Sequence, residues 1–139
     1  MYLKVVLDEN AKMPTKAHEP DAGFDIYNRE GEVLIPPNGS AIFDTGVHIE
    51  IPNGMVGFLK SRSGLNVKHG ISSEGVIDAG YTGSIIVKLY NHSDKEYKVE
   101  MGDKITQLVL LPIPTITLRK SDSLSKSERG EGGIGSTGK

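Results

Sequence analysis

Gly46-Val47-His48-Ile49-Glu50-Ile51-Pro52-Asn53-Gly54 carries the pattern that decides the fold. Val47, Ile49 and Ile51 fall on every second position against Gly46, His48 and Glu50, and a Pro-Asn-Gly cluster closes the run. Side chains of an extended chain point alternately to opposite faces. The alternation therefore predicts a half-buried strand ending in a tight turn.

The same reading extends in both directions. Met55 to Leu59 is strand-like, and Ile116 and Leu118 repeat the two-residue period against Thr115, Thr117 and Arg119. Leu108-Val109-Leu110-Leu111 is apolar throughout, as expected of a strand covered on both faces. Turn clusters recur at Pro36-Pro37-Asn38-Gly39 and Met101-Gly102-Asp103. No stretch sustains a helical apolar stripe over three turns. Short strands at this spacing predict an all-β fold, a jelly-roll-like barrel or sandwich.

Composition narrows what such a domain does. A chain of 139 residues is one domain, long enough to bury roughly 70% of its unfolded surface. The net charge of −2 excludes a broadly basic nucleic-acid surface, so an anionic ligand must be held by locally placed Arg, Lys and backbone N–H groups. With no cysteine there are neither disulfides nor thiolate metal sites. The opening MYLKVVLDEN has too short an apolar run for a signal peptide, and nothing approaches a membrane span. The expectation is a soluble, cytoplasmic protein without a membrane or nucleic-acid partner.

Past Leu118 the character changes. From Arg119 to Lys139 the only apolar residues are Leu124 and Ile134, among Ser, Gly and charge. Such a segment buries too little to offset its ordering entropy. The chain thus divides into a β domain at 1–118 and a mobile arm at 119–139. Gly133 to Lys139 spells GxxxxGK, but a P-loop needs a strand before it and a helix after it, and neither context is present. The arm is either a frayed terminus or a flexible cover for a polyphosphate. In the second case the glycines let backbone N–H groups approach, Ser136 and Thr137 donate, and Arg129 supplies a fork.

Four further stretches carry groups suited to chemistry. In Lys60-Ser61-Arg62-Ser63-Gly64-Leu65, Arg62 and Ser63 sit at a strand end before a flexible Gly, which is a phosphate clamp or an ordinary turn. Gly75 to Gly83 reads as a hairpin with Ala79-Gly80 near the bend and Ser84 to Tyr90 returning. Asp78 beside that bend is an Asx-turn or cap, or else a general base that activates water. Gln107, polar within an apolar strand, needs hydrogen-bond partners in the protein or on a ligand, and Asp25 between apolar neighbours raises the same question.

Singly these signals decide nothing, but their order does. AGFDI at 22–26, SRSGL at 61–65, GVIDAGYTG at 75–83, GDKITQLVL at 102–110 and RGEGGIGSTG at 129–138 resemble, in sequence, the five motifs of the homotrimeric dUTPase family. That resemblance implies hydrolysis of dUTP to dUMP and pyrophosphate on a jelly-roll-like barrel. Asp78 would activate the water that attacks the α-phosphorus, and Tyr81 would pack on deoxyribose and exclude a 2′-hydroxyl. Backbone groups of Gly75, Val76 and Ile77 would read uracil. Arg62, Ser63, Gly64 and Gln107 would hold phosphate, and Arg129, Gly135, Ser136 and Thr137 would close over the β- and γ-phosphates. Asp25 would support the site by pairing with Arg or by reaching metal-bound water. Mg²⁺ would sit on the triphosphate oxygens, held mainly by substrate and water, without direct protein ligands. The resemblance also implies a trimer with each site between subunits, the arm of one chain closing another's site.

Two positions depart from that pattern: Ile134 stands where the family usually has an aromatic over the uracil, and Ser61 where many relatives have Pro. Two other functions compete with the hydrolase. One is a dCTP deaminase or bifunctional relative, which the third motif and the glycine-rich arm fit less well. The other is a dUTP-binding regulator that docks a protein partner, for which the sequence shows no inserted domain.

Overall fold

The computed structural model describes residues 1–138; Lys139, the last residue of the P-loop-like run and of the arm, lies outside them. Its strands are β1 (Val5–Leu7), β2 (Gly23–Tyr27), β3 (Val33–Ile35), β4 (Ser40–Asp44), β5 (Val47–Ile49) and β6 (Met55–Lys60). A single short helix, α1 (Ser63–His69), follows, then β7 (Ile71–Ser72), β8 (Glu74–Ile77), β9 (Ile86–Asn91), β10 (Tyr97–Val99) and β11 (Lys104–Pro112). The all-β expectation holds.

The opening stretch behaves as its alternation requires: Val47, Ile49 and Ile51 are buried, His48 is half-buried and Glu50 is exposed. Each turn cluster bends where it should. Asn38, Gly54 and Gly102 take positive φ of 58°, 88° and 85°, and Gly39, Met55 and Asp103 donate back to Pro36, Pro52 and Glu100.

Every ladder is antiparallel, in the orders β2-β11-β6-β8, β4-β9-β7, β1-β5 and β10-β3. Inward side chains of the two larger sheets form one core, with Ile26, Leu59, Ile77 and Leu108 from the four-stranded sheet and Phe43, Ile71, Val87 and Leu89 from the three-stranded one. No ladder joins β2 to β8 or closes the smaller sheet on itself. The architecture is therefore sandwich-like, and the barrel alternative does not hold.

Three local expectations are corrected. Ser84 to Tyr90 does not return beside β8: β8 pairs only with β6, while β9 pairs with β4 and β7 in the other sheet. The segment between them is captured by residues 45–47, through Ile85 N–H to the Val47 carbonyl at 2.8 Å and Thr45 N–H to the Ile85 carbonyl at 3.1 Å. Residues 115–119 form no strand, and Ile116 and Leu118 are 70% and 93% exposed. Pro112 and Pro114 lack the N–H groups a continued ladder needs, so β11 stops. Finally, the apolar run in β11 is not covered on both faces. Leu108 is buried, but Val109 is half-buried and Leu111 exposed, because only one face of that sheet meets the core.

The helix escaped the pattern reading because it has no apolar stripe and none of its residues is buried. It is set by its end: Gly70 takes φ 68° and donates back to Asn66, with Lys68 and His69 at the negative end of the peptide dipoles.

Candidate active site

One wall of the site grows from the pairing of β2 with β11. Asp25 lies directly opposite Gln107, and Tyr27 opposite Lys104. Residues 104 and 107 are an odd number apart and would face opposite ways on a regular strand. A register shift between Lys104 and Thr106 inserts one residue, turns Ile105 and Thr106 both inward, and leaves Lys104 and Gln107 on the face that Asp25 occupies. Asp25 then accepts from Arg62 Nε at 3.0 Å through one oxygen and lies 3.2 Å from Lys104 Nζ through the other. Its side chain is only 16% exposed, so loss of either cation would leave a poorly hydrated charge.

Arg62 is aimed from behind by a hydroxyl network. Ser61 Oγ accepts from the Ser73 N–H at 3.0 Å and donates to the Ser73 carbonyl at 3.2 Å. The buried Ser73 hydroxyl meets Thr106 Oγ1 at 2.7 Å, and Thr106 donates to the Lys60 carbonyl at 3.0 Å. Each such bond is worth about 1 kcal/mol net. Together they hold residues 60–62 against β11. Gln107 completes the wall by donating to the Ser61 carbonyl at 3.0 Å. Its amide lies over Gly23, where an added Cβ would displace it from this position. Asp25, Arg62, Ser63 and Gln107 thus converge on a polar cleft of about 330 Å³ that Asp21 also lines. At Gly64, in the first turn of α1, an added Cβ would meet nothing.

The second corner lies elsewhere. Val76, Ile77, Asp78 and Tyr81 line a separate cleft of about 230 Å³ with Ile86. Asp78 is exposed and its carboxylate makes no hydrogen bond or ion pair among the described residues. Tyr81 N–H bonds to the Asp78 main-chain carbonyl at 3.2 Å, so Asp78 is not capping the turn with its side chain. Tyr81 donates its hydroxyl to the Ser84 carbonyl at 2.8 Å, with its ring 44% exposed. Gly75, Val76 and Ile77 lie in β8, the outer strand of its sheet, so one side of their backbone has no ladder partner.

The register keeps the two corners apart. Glu74 pairs with Lys60 and Ile77 with Gly57, so Asp78 leaves β8 at the end opposite Arg62. Four residues of extended chain alone separate Glu74 from Asp78, roughly 13 Å.

The arm touches neither corner. Ile113 N–H reaches the Gly54 carbonyl, and beyond it no hydrogen bond or ion pair joins residues 114–138 to the rest of the chain among the described residues. Arg129 folds back onto the Gly132 carbonyl at 2.7 Å, Gly135-Ser136-Thr137 sits in successive turns, and Ile134 is fully exposed.

Sequence reasoning missed Lys104, the Ser73–Thr106 pair and Asp21. The fourth motif contains Lys104, but its face depends on a bulge that leaves no mark in residue type.

The fold and its clefts define an all-β sandwich with a guanidinium–hydroxyl–amide cleft at one place and, at another, a carboxylate beside a tyrosine and an open backbone edge. Comparison makes the assignment definite. The dUTPase family model matches residues 9–138. A deoxyuridine 5'-triphosphate nucleotidohydrolase of Clostridium tetani is 43% identical over 137 residues, covering 96% of this chain and 94% of that protein. Among solved structures, a mutant Staphylococcus bacteriophage 80alpha dUTPase with dUpNHpp superposes with a TM-score of 0.91 at 35% identity, covering 99% and 98% of the two chains. A mutant dUTPase of the S. aureus phage phi11, described with a structural Mg(II) ion, gives 0.83 at 32% identity, covering 91% and 100%. The chain belongs to the dUTPase family.

Proposed function

We propose that this protein is a dUTP diphosphatase that cleaves dUTP between the α- and β-phosphorus at sites assembled from separate copies of the chain in a trimer. The observation that carries the reading is the partnerless carboxylate of Asp78 beside the open edge of β8, remote from the Arg62 cleft of its own chain.

In this reading the backbone of Gly75, Val76 and Ile77 takes the uracil edge as a neighbouring strand would, and Tyr81 lies against the deoxyribose. Asp78 accepts a proton from water as the water oxygen bonds to the α-phosphorus, and pyrophosphate leaves with the electrons of the broken P–O bond. Arg62, Ser63, Gly64 and Gln107 of another copy supply charge-assisted hydrogen bonds to the phosphates. Arg129 and Gly135 to Thr137 close over the β- and γ-phosphates, Ile134 caps the base, and residues 119–138 act as a lid with no dock on their own body.

Mg²⁺ would be carried by the substrate. Both oxygens of Asp25 already have cationic partners in Arg62 and Lys104. The ion would be held by phosphate oxygens and water, where it neutralises charge on the triphosphate. Asp25 contributes by fixing Arg62.

Pyrophosphate release measured over all deoxynucleoside triphosphates, with UTP as a ribose control, tests the reading. Turnover of dUTP far above the others is expected. Ammonia release from dCTP, or dUTP binding without turnover, would replace it with the deaminase or the regulator.

A further inference from the structure

His48 lies outside both clefts, on the outer face of β5, and each of its ring nitrogens faces an acceptor. Nδ1 is 2.8 Å from the Thr82 main-chain carbonyl, and Nε2 is 2.9 Å from the Asp8 carboxylate. Neither partner can donate: a carbonyl has only lone pairs, and so does an ionised carboxylate. A neutral imidazole carries one N–H, so both bonds form only when the ring is doubly protonated. Thr82 lies in the segment that carries Asp78 and Tyr81, and its carbonyl takes no other hydrogen bond among the described residues.

We propose that His48 is a positioning residue, a proton-dependent clamp that ties the Asp78–Ser84 segment to the end of β1 and so sets how well Tyr81 and Asp78 meet the substrate. The segment is otherwise held on either side of Thr82, by Ala79 against the core and by hydrogen bonds at Gly80 and Ser84. Gly80 N–H reaches the Ile51 carbonyl at 3.2 Å, and the Ser84 hydroxyl bonds to Asp44 and accepts from the Gly46 N–H. Between those anchors His48 supplies the one side-chain hydrogen bond from the body among the described residues, beside a cleft of about 350 Å³ that Lys4, Asp8, His48 and Thr82 help to line.

The charges around the ring favour the imidazolium. Asp8 bonds to it directly, and the hydrogen bond to Asp8, with the Thr82 carbonyl second, raises its pKa above the usual histidine value. Asp44 adds a weaker attraction from the end of β4. Arg29 opposes it but is shared between Asp8 at 4.0 Å and Asp44 at 3.1 Å. Lys4, just before β1, is paired with Glu50 at 3.7 Å, and the segment's own titratable groups are Asp78 and Tyr81. The sign follows from a raised folded-state pKa: the clamp is complete at low pH and is lost as pH rises through the His48 titration. The remaining proton stays on the nitrogen facing the carboxylate, the stronger acceptor, so the Thr82 link is the one released.

The test has an arm that needs no turnover and a kinetic arm that rests on the dUTPase reading. Hydrogen-exchange protection of residues 79–84, corrected for intrinsic rates, is followed from pH 5.5 to 9 in the full-length protein. In the wild type it should fall about fivefold through a single transition lying above pH 6.5, the size expected for one hydrogen bond. His48→Gln should give pH-independent protection, and Asp8→Asn should move the transition to lower pH. In the kinetic arm the wild-type KM for dUTP should rise by a similar factor over the same range while kcat changes less, and His48→Gln should lose that rise. Wild-type protection that ignores pH, or a transition unmoved in Asp8→Asn, would overturn the clamp. Absence of dUTP turnover at every pH would instead strike the proposed function, with the exchange arm still deciding the clamp.

Discussion

Asp78 is the residue on which the proposed chemistry turns. A positioned general base typically contributes about 100- to 10,000-fold. Asp78→Asn should therefore lower kcat by about that factor while leaving the melting temperature and the affinity for a non-hydrolysable dUTP analogue nearly unchanged, since the carboxylate has no partner among the described residues. Turnover near the wild-type level would remove Asp78 from the mechanism. At this scale the sequence was most informative where a residue broke its local pattern. Gln107 inside an apolar strand and Asp25 between apolar neighbours both proved to be wall residues of the cleft. Lys104 was not legible, because a bulge decides its face and nothing in Gly102-Asp103-Lys104-Ile105-Thr106 announces a bulge. His48 was read only as a polar step in an alternating strand, since the acceptors it bridges lie 40 and 34 residues away in the chain.

Among the elements, the arm makes the sharpest claim. Because its described residues add no hydrogen bond to the body of the chain, truncation before Ser121 should leave thermal unfolding within a few degrees of wild type. Hydrolysis should nevertheless collapse, because the proposed clamp on the β- and γ-phosphates is gone. Steady-state kinetics and a melting curve on the same truncated sample check both halves, and full activity would return the arm to a frayed terminus. The strands were legible wherever alternation met a turn cluster, as at Val47 to Gly54. They were not where partner choice mattered. Nothing local distinguishes a hairpin return from a crossover, and the segment after Asp78 crosses because residues 45–47 capture Ile85. The period in Ile116 and Leu118 was genuine but idle, since prolines at 112 and 114 deny that stretch a ladder.

At the scale of the whole molecule, one chain folds into a complete sandwich whose buried side-chain polar groups are satisfied among the described residues, yet holds its Arg62 wall and its carboxylate corner in different places. A fold complete without its site is what a site shared between copies requires. Asp78→Asn and Arg62→Ala each disable one corner. When the two inactive variants are unfolded and refolded together so that chains mix, a site joining Arg62 of one copy to Asp78 of another is intact wherever each copy brings its sound corner. Equal mixing should restore about a quarter of wild-type dUTP hydrolysis. Activity no higher than that of the unmixed variants, in a sample shown to contain mixed oligomers, would place the whole site within one chain and contradict the account.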